Sequence, residues 1–312
     1  MNIQFFDPLS RGWKRMTTAL FKPFDIGKWF VVGFTAFLAG LLDGDGGGNG
    51  VTNIGKKGSF DDLVDFPYKA REWILDNPEL FTLIFIGVIF LFALIVVLTW
   101  LSSRGKFMFL DNVVQNRAKV TKPWYDYRMQ GNSLFVWRLV FGLICLAVIV
   151  MFIAVFFLNA YNYYEGDFEA AAHVLSVIGF VFLFIFLIIV ILYISLFLDH
   201  FVVPIMYKHN LTAIQAWNRF LALFSKHWIY FLLYGLLVFS LYIFIIILVI
   251  FAGLFTCCIG FLLLIIPYIN AVVLLPISYW FRAFSVEFLE QFGSDFEVFP
   301  KSDETVIGQP VI

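Results

Sequence analysis

The chain alternates between long runs of apolar residues and shorter segments rich in cations and aromatic residues. An apolar run of about 20 residues forms a helix long enough to cross the ~30 Å hydrocarbon core of a membrane. The runs predict six spans, at about residues 27–42, 80–101, 134–158, 174–198, 228–252 and 260–281. We therefore expect an all-α integral membrane protein with a single membrane domain over residues 1–312.

Two of these spans have irregular features. The first has only 16 residues and reaches ~24 Å, so a re-entrant segment is the alternative to a full crossing. The apolar residues 229–281 are too many for one crossing and must reverse near Gly253–Gly260. Pro267 and Pro276 should kink the sixth span and free backbone carbonyl groups near Asn270.

The segments between the spans have the pattern of interfacial helices. Residues Leu9–Phe21 place Trp13 and other apolar residues near one helical face, which suits a helix in the headgroup zone. Residues 43–79 form the predicted extracytoplasmic loop, with a Gly-rich linker at Asp43–Gly50 and a further interfacial helix at Phe60–Asp76. Residues 282–312 are the predicted cytoplasmic tail.

The distribution of Lys and Arg sets the orientation of the spans. Seventeen of these residues lie in the N-terminal segment, the loops after the second and fourth spans, and the tail, with Arg138 at the mouth of the third span counted in the loop before it. The loop after the first span holds four, against eight acids, and the loop after the third span holds none. Cytoplasmic loops carry the excess of Lys and Arg, so both termini are predicted to be cytoplasmic, in a bacterial inner membrane.

The basic loops also resemble one another. Sliding Trp124 onto Trp217, an offset of 93 residues, aligns Asn116 with His209, Phe135 with Trp228, Phe141 with Tyr234 and Gly142 with Gly235. Each copy reads as an amphipathic helix with Trp, a polar break and a two-span hairpin, and Trp13 to Trp29 is a looser third copy. The pattern predicts three parallel repeats of an interfacial helix plus a two-helix hairpin. The alternative is that any cytoplasmic loop collects Trp and cations.

Composition agrees with lipid as part of the solvent. Hydrophobic residues make up 62% of the chain and charged residues only 14%, whereas a soluble domain is about half apolar and a quarter charged. The net charge of −1 argues against nucleic acid as a partner. The sequence has no HExxH, GxSxG, P-loop or Rossmann motif in a fitting context, so we expect no enzyme and no cofactor.

The strongest candidate site is a basic and aromatic rim on the cytoplasmic side. Its members are Arg104, Lys106, Arg117, Trp124, Arg128, Trp137 and Arg138. Each cation near a membrane contributes about 1 kcal/mol toward anionic headgroups, and Trp residues lie at the interface. The rim therefore predicts binding of membrane lipids or of a partner protein. The alternative is that these cations only set the topology and extend to the headgroups.

A second candidate function is that of a carrier or permease for an apolar or amphipathic solute. Asn270, between two prolines, is the one polar candidate at the membrane midplane. Ionisable residues are nearly absent from the spans, which argues against ion-coupled transport. A metal site would need a fold that gathers His200, His209 and Asp111, and we predict none.

Three segments carry a resemblance to a known family: PFDIGKWFVVGF at Pro23–Phe34, RGKFMFLDNVVQNRA at Arg104–Ala118 and SYWFRAFSVEFLEQFG at Ser278–Gly293. With its repeated Trp-bearing helix and hairpin, the chain resembles the membrane domain of some bacterial glycerophosphodiester phosphodiesterases and the uncharacterised six-span proteins allied to it. In those enzymes a separate soluble domain performs catalysis. The resemblance therefore implies a membrane module to which no catalytic residue can be transferred.

Overall fold

Helices make up nearly all of the described chain. The computed structural model describes residues 3–42, 66–165, 170–255 and 259–300, and within these ranges the only β pairing is one bridge between Phe21 and Phe24. The helices are α1 (Phe6–Phe21), α2 (Ile26–Ala39), α3 (Phe66–Asp76), α4 (Pro78–Val114), α5 (Thr121–Asp126), α6 (Arg128–Glu165), α7 (Ala170–Phe197), α8 (Val203–His209), α9 (Ala213–Phe255), α10 (Ile259–Ile265), α11 (Pro267–Val273) and α12 (Leu275–Glu290). A π-helical turn (Leu198–Val202) joins α7 to α8, and a 3-10 turn (Ser294–Phe296) follows α12. The all-helical prediction is confirmed for this part of the chain.

Several helices have the length and composition of membrane spans. Four stretches qualify, namely Pro78–Val114, Arg128–Phe156, Ile178–His209 and Ala213–Phe255, and the pair α11 and α12, bent by 62°, would be a fifth. Large apolar side chains on these helices are exposed, for example Phe90 by 70% and Phe182 by 69%. Exposure to water would cost about 25 cal/mol per Å² of such surface. These helices indicate a membrane protein in which lipid covers the exposed faces.

The first and sixth predicted spans differ from regular crossings. Helix α2 has 14 residues, begins after Asp25, which accepts hydrogen bonds from two backbone N–H groups, and ends at Gly40. At 1.5 Å per residue it reaches only ~21 Å. The sixth predicted span is divided into α10, α11 and α12, with breaks at Ile266, directly before Pro267, and at Leu274, two residues before Pro276. Helix α12 then continues to Glu290, nine residues beyond the predicted end of that span.

Local sequence signals coincide with other helix boundaries. Helix α4 begins at Pro78, and the Asn77 carbonyl accepts a hydrogen bond from Phe81 N, as expected for a helix start with Pro in the first turn. Helix α9 is kinked at His227, which has non-helical φ and ψ of −133° and 28°. The kink separates the Trp217 segment from the apolar stretch that begins at Trp228.

Several predicted features lie outside the described residues. These are the Gly-rich linker at 43–50, the start of the predicted interfacial helix at 60–65, the middle of the reversal at 253–260 and the tail after residue 300. The remainder of that interfacial helix corresponds to α3.

The chain divides into two compact units. The first unit contains residues 1–47, 100–135 and 196–312, and the second contains residues 48–99 and 136–195. Within the second unit α6 and α7 pack through aromatic rings, with Phe152 at 4.5 Å from Phe180 and 5.6 Å from Phe184. Within the first unit, Phe201 of the π-helical turn packs with Phe231 of α9 and with aromatic rings of α12 in a buried aromatic core.

Helix α2 contacts α4 at very short range. A Cβ atom on Gly105 of α4 would lie 2.6 Å from the backbone of Leu38 and Ala39. The Ser102 hydroxyl, on the same part of α4, donates a hydrogen bond of 2.8 Å to the Ala39 carbonyl, one of the last in α2. The absence of a side chain at Gly105 is therefore what allows the two helices to touch.

Candidate functional site

Helix α4, the π-helical turn after α7 and helix α12 meet inside the first unit. Lys106 of α4 forms an ion pair of 2.7 Å between its Nζ and Oδ2 of Asp199 in the π-helical turn, and the Lys106 side chain is only 2% exposed. Arg282 of α12 donates a hydrogen bond to the Asp199 backbone carbonyl. The structure therefore places Lys106 in the core, where its charge is compensated by Asp199, and not on the predicted lipid-facing rim.

A second buried carboxylate compensates another predicted rim cation. The Asp111 carboxylate accepts bidentate hydrogen bonds from the Arg117 guanidinium group, at 2.6–2.9 Å, and a hydrogen bond of 3.0 Å from the Tyr207 hydroxyl. Partial burial lowers the pKa of Arg117, but the hydrogen bonds and the charge of Asp111 outweigh this effect and raise the pKa overall. Arg117 is therefore a charged and paired group that joins the loop after α4 to α4 itself.

Helix α1 is attached to α12 by charge and by close packing. Glu287 of α12, 2% exposed, pairs with Arg11 Nε at 3.1 Å and also with Arg15 Nε. Gly12 lies between these arginines, and a Cβ atom there would be 2.9 Å from the backbone N of Phe284. The N-terminal amphipathic helix is therefore docked on α12.

Helices α4, α8 and α12 are each followed, within three residues, by a residue with positive φ. Asn116 has φ 46°, Asn210 has φ 52° and Gly293 has φ 133°. Asn and Gly are the residues that adopt this conformation at low cost. The Asn116 side chain accepts a hydrogen bond of 2.8 Å from Lys28 Nζ, and the Asn210 side chain accepts one of 3.1 Å from Gln130 Nε2.

Further hydrogen bonds tie the last reversal to the rest of the first unit. His209 Nε2 lies 2.9 Å from the Asp295 carbonyl, and Gln4 and Gln291 exchange two hydrogen bonds of 2.9 Å. These bonds join the end of α8 and the beginning of the chain to the segment that directly follows α12.

A cluster of cations and aromatic rings lies at the surface of this unit. The Arg104 guanidinium carbon is 4.6 Å from the ring centroid of Trp100 and 4.7 Å from that of Trp124, and the two rings are perpendicular. Asn132 Oδ1 accepts hydrogen bonds from Arg104 Nε at 3.3 Å and Nη2 at 3.1 Å. We call the residues Trp100, Arg104, Trp124, Arg128 and Asn132 the Arg104 cluster.

Arg104 and Arg128 differ from the other predicted cations of this unit in their partners. Neither forms an ion pair with an acidic side chain in the ranges that the structure describes. Arg104 is half-buried and Arg128 is exposed, and their positive charges act on each other. Among the described residues of this unit, the Arg104 cluster therefore contains the two predicted rim cations that have no carboxylate partner.

The remaining predicted residues lie elsewhere. Trp137 and Arg138 belong to the second unit, where both are half-buried and the Trp137 ring stacks on Phe141 at 5.0 Å. Asn270 is on α11 and is 3% exposed, and its Oδ1 has no hydrogen-bond partner among the described residues. Helix α11 packs on α2, where Tyr268 donates a hydrogen bond of 3.0 Å to the Phe30 carbonyl.

Two members of the Arg104 cluster, Trp100 and Asn132, were not predicted from the sequence. Trp100 and Arg104 are four residues apart, so on one helix they share a face. Arg128 and Asn132 have the same spacing at the start of α6. This repeated spacing of Arg and an aromatic or amide residue was the signal available in the sequence.

The titratable residues considered for metal binding are engaged separately. His200 Nδ1 lies 2.7 Å from the Tyr234 hydroxyl, His209 contacts the Asp295 carbonyl, and Asp111 pairs with Arg117. In the described part of the chain no three His, Cys, Asp or Glu residues converge as a metal ion requires.

Comparison with known proteins assigns the chain to a family. A model described as a family of unknown function (DUF7544) matches residues 4–275. No curated protein matches the chain, and no solved structure does. The match agrees with the prediction of an uncharacterised family but gives no link to the phosphodiesterase membrane domain. Because the matched residues span most of the chain, the protein belongs to this family of unknown function, DUF7544.

Proposed function

We propose that this protein is a non-enzymatic, multi-pass membrane protein that binds anionic lipid headgroups through the Arg104 cluster. The observation that carries the proposal is the position of Arg104 between the rings of Trp100 and Trp124, with no carboxylate partner among the described residues. Cation–π contacts and one amide fix the guanidinium group but leave its charge uncompensated. An anionic phosphate group would supply the missing charge.

The aromatic members of the cluster favour a lipid over a soluble anion. Trp residues are enriched where hydrocarbon meets headgroups, because the ring is apolar and its N–H is polar. In the sequence Trp100 lies at the end of the apolar run of α4. A headgroup bound at Arg104 would therefore have its acyl chains beside an apolar helix.

Six crossings in three hairpins are part of this proposal. The bond from Lys28 to Asn116 joins the two ends of the first hairpin, and that from Gln130 to Asn210 joins the ends of the second. His209 and Asp295 are joined in the same way across the third. If these junctions lie on one membrane face, every segment between them leaves that face and returns. The count of Lys and Arg supports the cytoplasm of a bacterial cell as that face.

A threefold repeat gains support from the way that each Trp-bearing helix packs. Trp124 of α5 meets Trp100 of α4 edge to face at 5.7 Å. Trp13 of α1 meets Trp280 of α12 edge to face at 5.3 Å. In the remaining copy the Trp217 segment packs its next aromatic residue, Phe220, on Phe201. Each Trp-bearing helix would thus pack on the end of the span that precedes it in the chain. Helix α1, which has no preceding span, would pack on α12 in the same way.

Lipid retention tests the proposed function. The full chain is purified from membranes in mild detergent as wild type, Arg104→Gln and Arg219→Gln, and the anionic lipid per protein is quantified. Arg219, exposed on α9, is the control. With about 1 kcal/mol per cation at a membrane surface, Arg104→Gln should lower retention about fivefold, whereas the control should not change it. Equal retention in all three proteins would overturn the proposal, and release of a bound polypeptide in its place would favour a protein partner.

The second candidate, a carrier or permease, is favoured by Asn270 alone. Buried polar atoms normally have a hydrogen-bond partner, and its Oδ1 has none among the described residues. An amphipathic solute that donates a hydrogen bond would fit between the helix breaks at Ile266 and Leu274. Transport is measured in proteoliposomes, where uptake of a fluorescent amphipathic amine should be lower for Asn270→Leu than for the wild type. Equal uptake by wild type, variant and empty liposomes would exclude this function.

A further inference from the structure

The second guanidinium group of the cluster faces the same side as the first. Arg128, Gly131 and Asn132 have the spacing of one helical face at the start of α6. A Cβ atom on Gly131 would lie 2.9 Å from Arg104 Cγ, so the stem of Arg104 rests on this face. Asn132, on the same face, accepts the two hydrogen bonds from Arg104. Arg128 therefore lies on the side of α6 along which Arg104 runs.

The two arginines have different freedom of movement. Arg104 is fixed by two rings and by Asn132, which takes the Nε and Nη2 edge of the guanidinium group. Arg128 is exposed and forms no hydrogen bond or ion pair with the residues that the structure describes. A bound phosphate would meet one preorganised donor and one donor that can adjust to it.

The charge of the ligand follows from the charge of the site. The positive charges of the two guanidinium groups repel each other, and arginine side chains carry their charge in proteins. A phosphodiester headgroup carries one negative charge and leaves one guanidinium group uncompensated. A phosphate monoester carries between about 1.5 and 2 negative charges at pH 7, because its second proton dissociates near pH 6. Of these two headgroups, the monoester is the one whose charge can compensate both arginines.

We infer that the Arg104 cluster selects lipids whose headgroup ends in a phosphate monoester over lipids with a phosphodiester. This inference rests on the proposed function and adds the chemical class of headgroup. Arg104 would hold one phosphate oxygen from its fixed position, and Arg128 would close on a second oxygen.

Competitive binding to the full chain in detergent micelles tests the selection. The probes are dioctanoyl phosphatidic acid, a monoester, and dioctanoyl phosphatidylglycerol, a diester, with glycerol 3-phosphate as the soluble monoester. Near pH 8 the wild type should bind the lipid monoester about fivefold more tightly than the diester, as expected for one further cation–phosphate interaction of about 1 kcal/mol. Near pH 5 the monoester has lost most of its second charge, so the ratio of the affinities for the two lipids should approach one.

Variants separate this inference from the proposed function. Arg128→Gln should bring the ratio between the two lipids close to one at both pH values, and the exposed control Arg219→Gln should keep the wild-type ratio. A wild-type ratio near one at the higher pH, with Arg104→Gln still weakening both lipids, would overturn the selection and leave the proposed function standing. Equal binding of glycerol 3-phosphate and the lipid monoester would also overturn it. If Arg104→Gln changes neither lipid, both proposals fail.

Discussion

Lys106 and Asp199, 93 residues apart in the chain, form an ion pair of 2.7 Å in the core of the first unit. The pair joins α4 to the π-helical turn after α7, and Arg282 adds α12 through the Asp199 carbonyl. A buried charge without its partner costs several kcal/mol. Helix α4, the π-helical turn and α12 are therefore held together at a point where removal of one group affects all three.

The first prediction concerns this ion pair. Lys106→Met leaves the Asp199 carboxylate without its ammonium partner, so the variant should lose about 3–5 kcal/mol of stability. Thermal unfolding in detergent measures the loss, with Lys208→Met, at an exposed position, as the control. The double variant Lys106→Met/Asp199→Leu should recover part of the lost stability. Unfolding temperatures that are the same for Lys106→Met and the control would contradict the structural role of the pair.

The second prediction uses two helical glycines with different surroundings. Alanine at Gly105 would place Cβ 2.6 Å from the backbone of α2, whereas alanine at Gly142 would meet nothing within 4 Å. Gly105→Ala should therefore destabilise the protein by about 1–3 kcal/mol. Gly142→Ala should be neutral or stabilising by up to about 1 kcal/mol. Chemical denaturation of the two variants side by side decides between these outcomes, and an equal effect would show that α2 does not rest on α4.

The third prediction concerns the attachment of α1. Glu287→Gln removes the charge that pairs with Arg11 and Arg15, so α1 should leave α12 more often. Limited trypsin digestion should then cut after the cations of α1 faster than in the wild type. Asp295→Asn changes an exposed acid near the same end of the chain and should not change the cleavage rate. Unchanged protection in Glu287→Gln would mean that packing around Gly12 alone holds the helix.

The fourth prediction tests the three hairpins. Single cysteines at the exposed positions Lys22, Asn116 and Lys208, in a background without the three native cysteines, should react with an impermeant thiol reagent from the same membrane face. A cysteine at Glu72 of α3 should react only from the opposite face. Labelling of Asn116 and Lys208 from opposite faces would rule out an even number of crossings between them.

Periodic and local features of the chain were accessible from the sequence. Pro78 after Asn77 predicts the start of α4, and Trp228 after His227 marks where the second part of α9 begins. Arg104, Trp124 and Arg128 were predicted together because cations and Trp concentrate in one loop. These signals depend on residues within one or two helical turns, where composition and spacing determine the structure.

Long-range partners were not accessible in the same way. Lys106 and Arg104 are two residues apart in one helix, so they point in different directions, and only the position of Asp199 shows which one is buried. In the sequence Arg117 is one of several cations of the predicted rim, and only the structure shows that it pairs with Asp111. Trp100 belongs by sequence to the apolar run of α4, and its contact with Arg104 and Trp124 depends on where α5 packs.

The most direct test of the account compares two double variants of equal charge change. Arg104→Gln/Arg128→Gln removes both guanidinium groups of the Arg104 cluster, and Arg219→Gln/Lys226→Gln removes two exposed cations of α9. Native mass spectrometry of the full chain with anionic lipid counts the bound molecules. We predict that the wild type and the α9 variant retain at least one anionic lipid that the cluster variant loses. Equal retention by both double variants would contradict the central claim that the Arg104 cluster binds the lipid headgroup.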